Sequence, residues 1–333
     1  MPFPEFQSAL TAAKEGQYNL NTTHRLPSHN PLPPSYILIR VSFVALNPCN
    51  WKMMNFSPAI GTVGGNDFSG RVVAIGSAVC KWQIGESVCG FLYGLDPHVG
   101  EVEWAGSFAE YVSVPEDLVM LVVEDQISMA EAACLGAGVV TAGMALWGLG
   151  ISLTETALDD LSLRDDDDDD DDDEASGSSG NRNASACPYI LVYGGSTATG
   201  TMAIQLARLA GYCPITTSFD YRSASCGVAI RAFTKGKLSL ILDCITSTDS
   251  MKICYAAMGA RGGVILPLVP PATRIQTTRK DWYALVEQLV EKGLLRPHPA
   301  SVQSGGRQGI LEGIGELRCG LVGGKKLVYP VGE

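Results

Sequence analysis

The sequence has 333 residues, of which 46% are hydrophobic and 18% charged, so it predicts a globular protein of two packed domains. Its net charge of -11 comes from nine consecutive aspartates at 165–173 and Glu174, without which the charge is -1. The charge therefore gives no basic surface for nucleic acid. We see no signal peptide and no apolar run near the roughly 18 residues of a membrane helix, so we expect a cytoplasmic protein.

The first half of the chain changes from strand patterns to helical patterns. Short apolar runs broken by glycine fill residues 35–123 and predict an all-β barrel or sandwich. The stretch "SMAEAACLGAGVVTAGMALWGLG" at 128–150 has apolar residues at helical spacing and predicts one or two helices. Residues 154–186, which hold the aspartate run, are polar and of low complexity and predict a disordered insertion. A divalent-ion or docking role is the alternative for the aspartates.

The second half begins with a pattern typical of nucleotide-binding domains. Ile190 to Tyr193 predict a strand, Gly194 to Gly200 a small-residue turn, and the following residues a helix to about Leu209. A helix N-terminus in this position can receive a phosphate. The turn "GGSTATG" lacks the GxGxxG spacing, so a tight turn of any α/β domain is the alternative. Strands at 238–246 and 262–269 and helices at 248–258 and 281–292 extend the pattern to a parallel, doubly wound sheet.

Two segments of this second half are too short. "CPITT" predicts the second parallel strand and "FDYR" the start of a third, but only Ser218 separates them. Neighbouring parallel strands need a crossover of roughly a dozen residues or more. A second shortening follows the strand at 262–269, where "TTRKDW" leads almost directly into "YALVEQLVEKG". We therefore expect one crossover of the sheet to be missing.

Cysteine and histidine usage gives no sign of a metal site. The ten cysteines are scattered through apolar segments, which predicts reduced and mostly buried thiols. No CxxC pair occurs, and none of the four histidines is spaced with a cysteine as a zinc site requires. We therefore expect no metal.

Several motifs carry a resemblance to a known superfamily. "ALNPCNWKM" (45–53), "GNDFSGRVVAIG" (65–76), "GESVCG" (85–90) and "GSFAEYVSVP" (106–115) resemble the zinc-independent medium-chain dehydrogenase/reductases. "LVYGGSTATGTMAIQLARLAGY", "FDYRS", "LDCIT" and "GGKKLV" resemble, more narrowly, the trans-acting enoyl reductases of fungal polyketide biosynthesis. Asn66 stands where the zinc alcohol dehydrogenases carry a ligand histidine.

The resemblance implies an architecture and an activity. It implies a GroES-like β-barrel catalytic domain at 1–139, rejoined by 295–333, and a Rossmann-type NADP-binding domain at 140–294 that the 154–186 insertion interrupts. Such enzymes bind NADPH between the two domains. They deliver hydride to the β-carbon of an α,β-unsaturated thioester, and a proton reaches the α-carbon. The implied partner is the acyl carrier domain of a polyketide synthase or polyketide-peptide synthase, and a monomer is favoured over the dimers of the wider superfamily.

The resemblance also assigns roles to residues. The catalytic candidates are Lys52 and Thr141. The cofactor-binding candidates are Cys49, Asn50, Trp51, Lys52, Ser196, Thr197, Ala198, Thr199, Tyr221, Leu268, Val269, Gly323 and Gly324. The substrate-channel candidates are Ala142, Gly143, Met144, Ala145, Leu146, Trp147, Gly148 and Leu149. Structural roles are the alternatives: Lys52 as a surface lysine, Thr141 as a packing or capping residue, and Tyr221 as a strand residue facing the core.

The two shortenings put the activity in question. In the resembling family, the loop lost after Thr217 grips the cofactor's 2′-phosphate, and the segment lost after Val269 contacts substrate. The gaps reflect either a wrong gene model or a real loss. The alternative functions are a catalytically impaired homologue acting as an interaction module, and a generic NADPH-dependent quinone or alkenal reductase acting on small free enones.

Overall fold

A computed structural model describes residues 3–14, 16–27, 31–56, 59–95, 106–153, 187–216, 220–223, 225–268 and 280–331. The insertion expected at 154–186 and the candidate residue Val269 lie outside these ranges. The chain divides into two compact units. The first comprises Met1–Ala142, Ser196–Met202 and Pro270–Glu333, and the second comprises Gly143–Gly195 and Ala203–Val269.

In chain order, the described elements are β1 (Phe6–Lys14), β2 (Gln17–Arg25), β3 (Tyr36–Ala45), α1 (Pro48–Phe56), β4 (Asp67–Ile75), β5 (Ser87–Phe91), β6 (Tyr111–Pro115), a 3₁₀ turn (Glu116–Leu118), β7 (Val119–Leu121), α2 (Met129–Ala132), α3 (Gly136–Gly148), β8 (Tyr189–Tyr193), α4 (Ala198–Leu209), β9 (Cys213–Ile215), α5 (Cys226–Phe233), β10 (Leu240–Asp243), α6 (Thr248–Ala257), β11 (Val264–Pro267), α7 (Lys280–Glu291), β12 (Ala300–Val302), α8 (Gly306–Arg318) and β13 (Lys326–Pro330).

The first unit is built on a seven-stranded sheet in the order β12-β13-β3-β4-β5-β7, and β6 also pairs with β3. Its core is a cluster of side chains that includes Ile37, Ile39, Phe68 and Phe108, all with no exposed surface. This confirms the GroES-like barrel prediction. The hairpin of β1 and β2 and the short helix α1 were not predicted, because β2 is largely exposed and polar and α1 has almost no apolar face.

The second unit is built on a four-stranded sheet in the order β11-β10-β8-β9, and its strand pairs are all parallel. The inner residues of β8, Ile190 to Val192, are fully buried, as expected for a strand covered on both faces. The chain leaves β8 for β9 on one side and later returns to β10 on the other. This arrangement confirms the Rossmann-type prediction, and it places a topological switch point between β8 and β10, where such sheets bind ligands.

The structure corrects the prediction of a third strand at "FDYR". Asp220 has no regular structure, and Tyr221 and Arg222 lie in a turn. The chain then enters α5 and continues to β10, which pairs with β8 rather than with β9. The connection that contains α5 is therefore the crossover, and it leads from β9 to the other side of β8. Among the described residues nothing pairs with the outer edge of β9, where Pro214 contributes no N–H donor.

The segment that contains α2 and α3 is long enough and apolar enough to cross a membrane, contrary to our expectation. Met129–Gly148 spans 20 residues, and its most apolar 18-residue window has a mean hydropathy of 1.5. However, 72% of its most apolar window is buried inside the protein, as in a core helix. By length and composition alone, the segment is only weak evidence for a membrane span.

The prediction that all cysteines are reduced is wrong for one pair. Cys187, just before β8, and Cys213, the first residue of β9, form a disulfide across 26 residues of sequence, with Cα atoms 5.8 Å apart. Among the described free cysteines, four are buried, two are half-buried, and Cys80 and Cys319 are exposed. The disulfide links the two paired strands at the end opposite to the glycine turn, a proximity that spacing in the sequence does not reveal.

We expect Cys213→Ser to lower the free energy of unfolding by about 3 kcal/mol, because the disulfide restricts the unfolded chain. Urea denaturation without a reductant measures the change. Cys319→Ser is the matched control, since that thiol is exposed and unpaired, and it should change stability by less than about 0.5 kcal/mol. Equal stability of the two variants would show that the disulfide contributes nothing.

Candidate functional site

The turn between β8 and α4 leads from a buried strand through a glycine to the N-terminus of a helix. Gly194 has a φ of 82°, and a Cβ there would lie 2.9 Å from the Ile245 side chain. The Thr197 hydroxyl accepts a hydrogen bond from the Gly200 N–H at 3.0 Å and thereby caps α4. The side chain of Ser196 is exposed. The first N–H groups of a helix have no partner within it, so this turn presents donors to an anion.

The segments after β10 and β11 pack against each other at the same edge of the sheet. Asp243 is fully buried; its Oδ1 accepts hydrogen bonds from the N–H groups of Ile245 and Thr246 at 2.9 and 3.0 Å. Thr246 has a φ of 55°, which is strained for a β-branched residue, and its hydroxyl donates to the Leu268 carbonyl at 3.1 Å. These hydrogen bonds hold the residues of the motif "LDCIT" in place after β10. The candidate Leu268 is joined to them by its hydrogen bond with Thr246.

Tyr221 does not face the core. It lies in the turn that follows β9, and 55% of its surface is exposed. The interpretation of Tyr221 as a core strand residue is therefore wrong, and its ring is accessible to a ligand.

Two residues of α1 are held by the side chain of Asn66. Asn66 Oδ1 accepts from Asn50 Nδ2 at 2.6 Å and from the Cys49 thiol at 3.2 Å, and Asn66 Nδ2 donates to the Leu92 carbonyl at 2.8 Å. Burial, and then the nearby Asp67 carboxylate, raise the pKa of Cys49 to about 12. Cys49 is therefore a neutral thiol at physiological pH. Asn66 connects β4 to α1 at the position where a zinc ligand was considered.

Lys52 is exposed on α1, and its Nζ lies 5.8 Å from the centre of the Trp51 ring. This position is compatible both with a surface lysine and with a group that reaches a ligand. The Trp51 indole nitrogen is buried and has no hydrogen-bond partner within the described ranges of the chain. The structure thus places both candidates on one short helix, adjacent to Asn50.

The substrate candidates at 142–149 occupy the second half of α3 and the residue that follows it, so they face several directions. Ala142, Ala145, Leu146 and Leu149 are buried. Thr141 is half-buried, Met144 is 39% exposed and Gly148 is exposed, and their spacings of three and four residues place them on one helical face. Trp147, three residues after Met144, is also half-buried. Among the substrate candidates, Met144, Trp147 and Gly148 are therefore the accessible positions.

A buried ion pair that the sequence did not predict connects the motifs "GNDFSG" and "GGKKLV". Lys326 Nζ donates to Asp67 Oδ2, and the two side chains are 3% and 0% exposed. Asp67 also accepts from Asn47 Nδ2 at 2.9 Å and from the Ala137 N–H at the start of α3 at 2.6 Å. A charged residue within an otherwise apolar strand was the available signal, because such residues are rarely buried unpaired.

The candidates Gly323 and Gly324 lie just before Lys326 in an exposed turn, and Gly324 has a φ of 67°. A Cβ at either position would meet nothing within 4 Å. The left-handed backbone at Gly324 shapes the turn that leads into β13. No group of three or more His, Cys, Asp or Glu side chains in the described part of the chain is arranged to hold a metal ion.

His298 borders the same ion pair from the C-terminal part of the chain. Its Nδ1 lies 3.0 Å from the Thr201 hydroxyl on α4, and its side chain is 3% exposed. Burial, and then the Lys326 ammonium, lower the pKa of His298 from 6.5 to about 4. His298 is therefore neutral at physiological pH, and folding opposes its protonation.

We expect the free energy of unfolding to fall by about 2 kcal/mol between about pH 7 and about pH 5 on account of His298. The reason is that the unfolded histidine takes up a proton near its ordinary pKa, whereas the folded one does not. Urea denaturation across this range, compared between the wild type and His298→Gln, measures the contribution. The variant should lose less stability on acidification, and an equal loss in both proteins would contradict the assignment.

Comparisons with known proteins agree with this fold. Residues 33–124 match the model of the alcohol dehydrogenase GroES-like domain. The crystal structure of CurK enoyl reductase is 16% identical, with a TM-score of 0.69, and the match covers 98% of this chain and 99% of that one. The quinone oxidoreductase from Coxiella burnetii is 20% identical, with a TM-score of 0.61 and 98% of both chains covered. At these identities the structures establish the fold alone.

Two curated relatives match at higher identity. The trans-enoyl reductase opdC of Penicillium oxalicum is 35% identical over 385 positions, and the match covers 98% of both chains. The trans-enoyl reductase caaB of Aspergillus niger is 34% identical over 385 positions with the same coverage. Because these alignments are longer than the 333 residues of this chain, both relatives have segments that this chain lacks. The chain belongs to the trans-enoyl reductases, oxidoreductases of the zinc-independent medium-chain dehydrogenase/reductase superfamily.

Proposed function

We propose that this chain transfers hydride from NADPH to the β-carbon of an α,β-unsaturated thioester carried by the acyl carrier domain of a polyketide synthase or polyketide-peptide synthase. The proton that completes the reduction goes to the α-carbon, so the double bond gains one hydride and one proton. The observation that carries the proposal is the glycine turn between β8 and α4 at the switch point of a parallel sheet.

The residues of this turn fit a dinucleotide phosphate. Ser196 is exposed, and Thr197, Ala198 and Thr199 are half-buried, so the helix start is accessible. Small side chains allow an anion to approach the backbone N–H groups. We propose that Ser196 to Thr199 hold the pyrophosphate, and that Leu268 lies near the nicotinamide. The cofactor supplies the hydride, and the protein supplies orientation and electrostatics.

We propose that Lys52 orients the ribose or supplies the proton, because it is an exposed cation next to the fixed Asn50. Thr141 is the second catalytic candidate. It is half-buried and lies at the N-terminal end of the accessible face of α3. Along that face, Met144 and Gly148 would contact the acyl chain. The buried candidates on α3 support this face by packing.

Covalent catalysis by Cys49 is not part of the proposal. Its raised pKa leaves almost no thiolate at physiological pH, and its Sγ donates to Asn66. Cys49 and Asn50 are instead proposed to hold α1 in place, so that Trp51 and Lys52 are presented from a rigid helix.

Binding of NADPH to the purified chain tests the proposal at its first step. Saturable stabilisation against heat is expected, reaching about 2.7 kcal/mol at a free concentration of about 100 times the dissociation constant. A protein that melts cooperatively but is not stabilised by NADPH or NADH would contradict the proposal. That result would favour the alternative of an impaired homologue acting as an interaction module, an alternative supported by the lack of a strand beyond β9 among the described residues.

A generic reductase of small free enones is distinguished by its substrate. With such an enzyme, free quinones or alkenals would be turned over as efficiently as a carrier-bound thioester.

We further propose that the protein is a cytoplasmic monomer, and that its domain limits are 1–139 with 295–333 and 140–294. Sedimentation of the purified chain tests the monomer.

A further inference from the structure

An exposed arginine stacks on an exposed tyrosine immediately after β9. The Arg222 guanidinium carbon lies 4.6 Å from the centre of the Tyr221 ring, and both side chains are exposed. Within the described ranges, no carboxylate forms an ion pair with Arg222. The Tyr221 ring therefore contacts the flat face of the guanidinium, and the edge of the guanidinium is available to an anion.

This pair lies at the ligand-binding edge of the second unit. β8 and β9 are parallel neighbours, so the glycine turn and the segment after β9 leave the same edge of the sheet. A Cβ at Gly195 in the turn would lie 3.2 Å from Cβ of Thr216, the residue that follows β9. Tyr221 is also close enough to Tyr193, at the end of β8, to contribute to raising the pKa of that residue. Tyr221 and Arg222 therefore lie beside the start of the glycine turn.

The backbone around Arg222 is fixed by short-range hydrogen bonds. The N–H of Arg222 donates to Asp220 Oδ1 at 3.0 Å, and the N–H of Ser223 donates to the Asp220 carbonyl at 3.0 Å. The Ser223 carbonyl accepts from the N–H of Cys226, the first residue of α5, at 3.0 Å. Arg222 is therefore presented by a turn anchored to a helix.

We propose that Arg222 binds the 2′-phosphate of NADPH and determines the preference of this chain for NADPH over NADH. The inference rests on the proposed function and adds a residue for which the resemblance gave no role. A guanidinium matches the geometry and charge of a phosphate monoester, and NADH has no group at that position. Arg222 thereby replaces the phosphate-selecting loop that the shortening after Thr217 removed.

The competing interpretation assigns the ribose to Asp220. A carboxylate after the second strand of such a sheet accepts a hydrogen bond from the ribose 2′-hydroxyl and selects NADH. In this chain, however, Asp220 Oδ1 already accepts the N–H of Arg222. The carboxylate therefore shapes the turn that presents the arginine.

The test measures dissociation constants for NADPH and NADH by fluorescence titration of the full chain, at low and high salt. Arg222→Gln should weaken NADPH binding about tenfold and leave NADH binding unchanged, because one charge-assisted interaction is lost. Arg222→Lys should recover part of the loss. High salt should reduce the NADPH preference of the wild type, because the site is exposed. Adenosine 2′,5′-bisphosphate and 5′-AMP serve as probes of the same difference without the nicotinamide.

Arg231→Gln is the matched control. It removes the same charge from an exposed position near the other end of α5, and it should leave both affinities unchanged. Equal affinities of the wild type for NADPH and NADH, or an Arg222→Gln variant that keeps the preference, would overturn the assignment of Arg222 and leave the proposed function standing. Failure of the folded wild type to bind either cofactor would overturn both.

Discussion

Lys326→Met is expected to lower the free energy of unfolding by about 3 to 5 kcal/mol, because it leaves the buried Asp67 carboxylate without its cation. Asp67 would keep its hydrogen bonds from Asn47 and Ala137, but two neutral donors do not replace an ammonium group inside a protein. The loss should spread to α1 and α3, since this carboxylate joins both to β4. Urea denaturation measures the change.

Lys252→Met is the control for this prediction. Lys252 forms an ion pair with Asp249 in which the side chains are 72% and 87% exposed, so its loss should cost less than about 0.5 kcal/mol. The double variant Asp67→Asn with Lys326→Met should cost less than the sum of the single changes, because no unpaired charge remains. A Lys326→Met variant as stable as Lys252→Met would show that the buried pair has no net structural role.

Ser196→Phe is expected to weaken NADPH binding by roughly 100-fold, because a ring at the exposed start of α4 would cover the N–H groups proposed to hold the pyrophosphate. The melting temperature should stay nearly constant, since the Ser196 side chain is exposed and the cap of α4 is provided by Thr197. Fluorescence titration of the variant measures the loss of affinity.

Ser239→Phe is the matched control for the turn. Ser239 is also exposed, but it precedes β10 and so lies at the opposite edge of the same sheet. The same substitution there should not alter NADPH binding. An unchanged affinity of Ser196→Phe would show that the turn is only a tight connection between a strand and a helix.

The features that the sequence predicted are those encoded locally. The strand-turn-helix at 189–209 could be predicted because an apolar strand, small turn residues and an amphipathic helix follow one another directly. The sequence also indicated that "CPITT" and "FDYR" cannot be neighbouring parallel strands, since one residue cannot connect two such strands. The sequence did not show how the chain continues: Asp220, Tyr221 and Arg222 form no strand, and the chain passes through α5 to β10 on the other side of β8.

The features that the sequence did not predict depend on distant contacts. Asp67 and Lys326 are 259 residues apart, and only the closure of β13 onto β3 brings them together. The Cys187–Cys213 disulfide depends on the pairing of β8 with β9. The candidates on α3 were proposed as a continuous run, whereas helical geometry leaves Thr141, Met144, Trp147 and Gly148 accessible and buries the others.

The most direct test of the proposed activity is reduction of a carrier-bound enoyl thioester by the purified 333-residue chain. The substrate is an α,β-unsaturated acyl group on an isolated acyl carrier domain, and mass spectrometry follows the acyl group after NADPH is added. The account predicts that the acyl group gains two hydrogens, that NADPH is consumed in equal amount, and that Ser196→Phe is inactive. An acyl group that stays unsaturated with a folded, NADPH-saturated protein would contradict the assignment of this chain as a working trans-enoyl reductase.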